Sequence, residues 1–216
     1  MTEMTSHEHS CELDTTLDFV NTLEFEKGVS VDHIDSTREA IAWLQGHGLL
    51  HAWRLDGEPG PAAGRRIRRA RAALRELADA TIEQRIPPEA ALREVNRLLR
   101  AREILELTPA EGGLVLDHRH VGDPIDNALA LLAEPLVHEI VGGRPERIRT
   151  CDDETCRWVF FDDSRTGRRR WCDMATCGNR AKAARHRARA KAVEPTLPQM
   201  PSLVLLDTSS GQHATH

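Results

Sequence analysis

The sequence has no apolar run approaching the ~20 residues that cross a bilayer, and Met1 to Glu12 lacks the apolar core of a secretory signal. A soluble, cytoplasmic protein is expected, with no membrane partner. No Ser/His/Asp order, glycine-rich phosphate loop or His-Glu metal motif stands out, which removes the usual sequence grounds for an enzyme. Internal repeats and long low-complexity tracts are missing as well. Tyrosine is absent, and the aromatics number only four tryptophans and four phenylalanines. Cysteine is scarce too: five residues, with no secretory segment, give little support for disulfides.

Four of those five cysteines are nevertheless ordered as Cys151-x4-Cys156-x15-Cys172-x4-Cys177. Each short pair puts two sulfurs on one tight turn, and the fifteen residues between the pairs allow a strand, a turn and a return. The spacing suits one structural Zn2+ ion held by four thiolates. Redox thiols, an iron–sulfur cluster and unligated cysteines are the alternatives. His7, His9 and Cys11 form a second cluster in a loose N-terminal setting, where metal binding would be incidental, and His213 and His216 are read the same way.

At 216 residues, 40% hydrophobic and 29% charged, the chain can bury one core of about 150 residues and carry a small module beside it. The formal charge of -5 hides a division. Ten basic residues against the single acid Asp173 give the stretch from Arg165 to Lys191 about +9, leaving about -14 elsewhere. That segregation attracts polyanions to one end of the molecule.

Residues 15 to 25 read as a first helix, with Leu17, Val20, Asn21 and Leu23 facing inward. Ser36 and Glu39 form a capping box for a second helix, which Gly46 or Gly48 stops. A Pro/Gly connector from Glu58 to Gly64 leads to a long helix over 62–84, whose inward face is Ile67, Ala70, Leu74, Leu77 and Thr81. Pro87 and Pro88 start a fourth helix burying Ala91, Val95, Leu98 and Leu99. Ile104–Leu107 and Leu114–Leu116 alternate as a hairpin, and Asp123-Pro124 opens a helix that runs to Ile140 and is kinked by Pro135. Short strands at 147–150 and 157–161 flank the first cysteine pair, and a last helix follows Cys177. The expected fold is α+β, mainly α. A helical N-terminal domain with a small β-hairpin (13–145) precedes a zinc-ribbon-like module ending in a basic helix (146–192), and 193–216 is a loose tail.

At 100° per residue, Arg180, Arg187 and Lys191 share one stripe of that last helix, and Lys182, Arg185 and Arg189 lie on the opposite one. Alanines fill the flanks, and after Asp173 no acid appears until Glu194. A solvated alanine-rich helix is one reading; unpaired like charges relieved by a polyanion is the other. Arg168, Arg169 and Arg170 serve either charge compensation at the metal or phosphate contact. Trp158, Phe160, Phe161 and Trp171 crowd the cysteines, for local packing or for stacking on bases. Asn179 either caps the helix or bonds a base edge.

The run from Arg169 to Arg189 (RRWCDMATCGNRAKAARHRAR) strongly resembles the CGNR-type zinc-finger family, whose tetrad is here Cys177, Gly178, Asn179 and Arg180. Cys151, Cys156, Trp158, Phe160, Asp163 and Ser164 fit the same pattern, and Leu17–Thr22 resembles the opening motif of the ABATE domain that precedes such fingers. The resemblance implies a bacterial, stress-related transcription regulator or, in another description, a zinc-ribbon-like RNA-binding protein. It also makes the N-terminal domain the place for an input. Asp18, Asn21 and Arg38 converge there on a small polar ligand, or else pair inside the fold. The expectation is a zinc-containing DNA-binding regulator, with DNA favoured over RNA, and with a small-molecule effector and a homodimer left open. Arg168, Arg169, Arg170, Asn179, Arg180, Lys182, Arg185, Arg187, Arg189 and Lys191 are its candidate nucleic-acid contacts. An RNA-binding protein, or a protein-interaction finger on a ligand-binding or enzymatic body, are the rivals.

Overall fold

In the computed structural model, which describes residues 6–26, 29–50, 55, 57–101, 103–110, 112–120 and 122–193, the chain is mainly helical with some β-structure. It runs α1 (Ser6–Val20), β1 (Leu23–Glu26), β2 (Val29–Asp32), α2 (Thr37–Gly46), α3 (Pro61–Ile82), α4 (Glu89–Leu98), β3 (Glu103–Ala110), β4 (Gly113–His120), α5 (Pro124–Gly142), β5 (Ile148–Thr150), β6 (Val159–Phe161) and α6 (Asn179–Val193). The strands pair only as antiparallel hairpins, β1–β2, β3–β4 and β5–β6, among the described residues. The tail beyond Val193 and the side chains of His7, His9 and Cys11 lie outside the described residues.

Helix α1 buries Leu13, Leu17 and Val20 on one face, and the hydroxyl of buried Thr16 donates to Leu132 O of α5 at 2.9 Å. It starts earlier than the spacing suggests and stops at Val20. Beyond the Asn21–Thr22 turn, Leu23 and Phe25 alternate with Glu24 and Glu26, the period of a strand rather than a helix. This β1–β2 hairpin is the element that sequence periodicity missed.

The caps behave as the residues dictate. Ser36 Oγ accepts from Glu39 N–H while the Glu39 carboxylate accepts from Ser36 N–H, and Asp123 Oδ1 accepts from Ile125 N–H ahead of Pro124. Helix α3 packs Ile67, Ala70, Leu74 and Ala78 into the core, and its Gly64 lets α2 approach. A Cβ there would lie 2.6 Å from Thr37 Oγ1 and 3.0 Å from Thr37 Cα. Arg71, only 5% exposed, reaches from α3 to Asp32 through two bonds of 2.6 and 2.7 Å and to Thr22 Oγ1 at 3.0 Å. That guanidinium holds the Asp32 carboxyl below its ordinary range.

The hairpin β5–β6 has two faces. Ile148 and Val159 join the core built by α1, α2, α3, α4 and α5, whereas Phe160 turns into a second cluster with Cys151, Cys156 and Cys177. The chain divides into two compact units, Met1–Ala181 and Lys182–His216. The cysteines and the helical body share the first, and the boundary falls inside α6.

Candidate metal centre

The first cysteine pair sits in the turn of the β5–β6 hairpin. Cys151 follows β5 directly, and its N–H donates to Trp158 O at 2.8 Å, extending the ladder by one pair. Within that turn Asp153 Oδ1 accepts from both Thr155 N–H (3.0 Å) and Thr155 Oγ1–H (2.7 Å), and Cys156 N–H donates to Asp153 O. The second pair repeats the device. Asp173 Oδ1 accepts from Thr176 N–H and Thr176 Oγ1–H, both at 2.6 Å, across a π-helical turn at Met174–Gly178 that leads into α6. In both knuckles an Asp clasps the Thr that directly precedes the second cysteine.

All four sulfurs lie within 4.8 Å of one another, with Cys156 to Cys172 at 3.6 Å and Cys172 to Cys177 at 3.7 Å. A tetrahedron with metal–sulfur bonds of about 2.3 Å has edges of about 3.8 Å, so the donor set fits Zn2+. Cys151, Cys156, Cys172 and Cys177 are free thiols that form the site of one structural zinc ion. Without the metal, burial pushes the Cys156 thiol up to about 12 and the Cys172 thiol higher still. Zinc therefore displaces protons as it binds, and the ion ties the two knuckles together. Its role is structural: it supplies a crosslink.

Around the sulfurs the basic residues divide. Arg180 pairs with Asp153 Oδ2 at 3.1 Å, donates to Thr155 Oγ1 at 3.0 Å, and approaches Cys177 Sγ at 3.5 Å. Burial raises the Asp153 carboxyl, but the Thr155 donors and the Arg180 charge outweigh it and hold the group below its usual range. Arg169 donates to the carbonyls of Trp171 and Cys172 and to Asp163 Oδ1, with its guanidinium 5.1 Å from the Phe160 ring centre. Arg170 pairs with Asp152 at 2.5 Å and lies over Trp171 at 5.1 Å. Asn179 Nδ2 donates to Ala175 O at 3.0 Å, closing the π-turn. These four bond within the module, although Arg170, Asn179 and Arg180 remain exposed.

Arg168, Lys182, Arg187 and Arg189 are exposed and have no partner among the described residues; Arg185 is exposed and engaged within the chain. The Lys191 side chain lies outside the described residues. Trp158 and Trp171 pack against the cysteine cluster, the packing use of these rings. Gly178 is buried beneath Met174, whose Sδ a Cβ would meet at 2.6 Å.

The body meets the finger through Asn21. Its Nδ2 donates to Val159 O (2.8 Å) and its Oδ1 accepts from Val159 N–H (2.9 Å), so one amide side chain completes both backbone bonds of the first residue of β6. Trp158 Nε1–H donates to Glu24 at 2.9 Å, and Arg75 of α3 donates to Arg157 O at 3.1 Å. Asn21 is thus committed to the fold, and Arg38 is exposed and does not join Asp18 in a cleft.

Sequence reasoning missed Asp162, which is fully buried and accepts from Ser164 N–H and Arg169 N–H to shape the loop before the second knuckle. It missed Arg147 as well, which donates to Asp162 O and Ser164 O under Gly167, a residue at φ +62. The repeated Thr-Cys pair was the available signal for the Asp clasps; nothing in the spacing marked Asp162.

The family model of the CGNR zinc finger matches residues 147–190, and the ABATE model, described as a putative stress-induced transcription regulator, matches residues 13–143. No curated protein matches the chain. No helix among the described residues is long and apolar enough to cross a membrane.

Proposed function

The chain belongs to the ABATE family and carries a CGNR zinc finger, and from that premise we propose that it is a cytoplasmic, non-enzymatic DNA-binding transcription regulator whose zinc site anchors a basic helix. The observation that carries this reading is α6. From Lys182 to Ala190 its side chains are exposed, three of its cations have no protein partner among the described residues, and no acid falls between Asp173 and Glu194. A helix with no apolar face and unopposed charge is suited to a groove between phosphate rows. Lys182, Arg187 and Arg189 are the phosphate contacts of this reading. Arg169, Arg170 and Arg180 support it from behind by holding the zinc module.

The test is selection from a randomised duplex DNA library with zinc-loaded protein beside a single-stranded RNA library at about 0.15 M salt, where screening is physiological. An enriched duplex motif is expected, and its symmetry reports dimerisation. Arg187→Ala and Arg189→Ala should each weaken binding across sequences and flatten the salt dependence by about one unit. Enrichment in RNA alone would move the case to an RNA-binding protein. That rival leans on Trp171, whose half-buried ring is packed against the cysteine cluster and covered by Arg170. Enrichment in neither pool would favour a protein-interaction finger.

A further inference from the structure

We propose that Cys172 is an oxidisable zinc thiolate, a modification site at which a hydroperoxide converts two of the four ligands to a Cys156–Cys172 disulfide and releases the ion.

The four sulfurs differ in access. Cys151, Cys156 and Cys177 are 4%, 9% and 2% exposed, whereas Cys172 is open to solvent in part. Two clefts, of 330 Å³ and 540 Å³, reach the site, and of the four cysteines Cys172 alone lines both, while Cys151 lines neither. The sulfurs differ in bonding as well. The backbone N–H of Trp158 donates to the Cys156 sulfur, and the Arg180 guanidinium lies 3.5 Å from that of Cys177. The Cys172 sulfur meets only the sulfurs of Cys156 and Cys177 among the described residues. A donated hydrogen bond stabilises a thiolate and lowers its nucleophilicity, so the thiolate without a donor is the most reactive of the set. Access and reactivity coincide at one sulfur.

The surroundings select the class of oxidant. Glu24 and Asp173 line the larger cleft against Arg180, and Asp14, Asp18 and Asp163 line the smaller against Arg169. Four thiolates around one Zn2+ are themselves net negative. An anionic oxidant is repelled there, and an uncharged hydroperoxide, ROOH, is not. Its reaction balances with no other reagent. The Cys172 thiolate attacks the distal oxygen, an S–O bond forms as the O–O bond breaks, and RO− leaves to take a proton from water. Cys172 is then a sulfenic acid. The Cys156 thiolate, 3.6 Å away, attacks the Cys172 sulfur, the S–S bond forms, and hydroxide leaves with the S–O electron pair. Two electrons have passed from the sulfurs to the peroxide, which ends as ROH and water. Cys177, at 3.7 Å, is braced by Arg180, which leaves Cys156 as the resolving partner. With two anionic ligands gone, the remaining pair no longer holds the metal.

A role for this oxidation as an input to α6 rests on the regulator reading; the chemistry is measured without nucleic acid, so either can fail alone. Cys172→Ser would remove a ligand together with the nucleophile, so the site is read by peptide mapping of the unsubstituted, zinc-loaded full chain. One equivalent of hydrogen peroxide is added in one arm and of tert-butyl hydroperoxide in another, with dimedone to trap sulfenic acid and a chromophoric chelator to report free zinc. More dimedone adduct is expected at Cys172 than at the other three ligands together. Without dimedone, a Cys156–Cys172 disulfide should form with one zinc released per peroxide consumed, and dithiothreitol with added zinc should restore the site. The faster arm tells free peroxide from an alkyl hydroperoxide as the source. Adducts spread evenly over the four ligands, a disulfide that omits Cys172, or zinc retained under excess peroxide in both arms would overturn the proposal.

Discussion

Arg180 touches three groups at once, Asp153 in one knuckle, Thr155 beside it and the Cys177 sulfur in the other. In sequence it looked like the first cation of a basic stripe, because helical spacing cannot tell a residue that turns back to a metal from one that faces solvent. Its geometry is that of a positioning residue for the zinc: it compensates thiolate charge and braces the two knuckles. Arg180→Ala should leave one zinc bound but lower its affinity about tenfold or more, the usual cost of removing such support, as read by competition with a chromophoric chelator. In the cobalt-substituted protein the sulfur-to-metal charge-transfer band should move to lower energy, because Cys177 loses a donor. Unchanged affinity and an unchanged band, together with weakened DNA binding like that of Arg187→Ala, would return Arg180 to the nucleic-acid face.

Elements whose patterns are local were legible. The α2 capping box, the Pro88 and Asp123-Pro124 helix starts and the strands flanking Cys151 stand where their residues place them. The β3–β4 ladder runs further than its apolar alternation, because pairing continues through Glu103 and His120 at one end and Ala110 and Gly113 at the other. The end of α1 was not legible, since Leu23 satisfies a helix face and a strand face equally. At that end the Asn21 side chain clasps Val159 while its backbone N–H still bonds Leu17 O, and a long-range bond leaves no mark in local spacing. Asn21→Ala should free both polar groups of a buried strand residue at a cost of about 3 kcal/mol. Hydrogen exchange should accelerate at Val159 and its β5 partner Thr150 while α3 and α5 stay protected. Unchanged exchange in β6 would show that zinc alone holds the strand.

For the molecule as a whole, the four cysteines and the basic segment were visible as composition, but their attachment to the body was not. The sequence reads as a core carrying a small zinc module beside it, and in the structure Ile148 and Val159 are 2% and 1% exposed within the helical core, while Asn21, Glu24 and Arg75 hold the knuckle that the zinc closes. Metal binding and body stability are therefore linked. Chelation frees the hairpin turn, and a frayed β5–β6 withdraws two aliphatic side chains worth about 2 kcal/mol each from that core. With about 2–4 °C per kcal/mol for a chain of this size, stripping the zinc should lower the melting temperature of the helical signal by about 10 °C. Adding one equivalent of zinc should restore it. Far-UV circular dichroism during a thermal ramp reads this directly, because most of the helix lies in the body rather than in the finger. A helical melt unmoved by chelation would mean that the body folds without the hairpin and that the finger is independent after all.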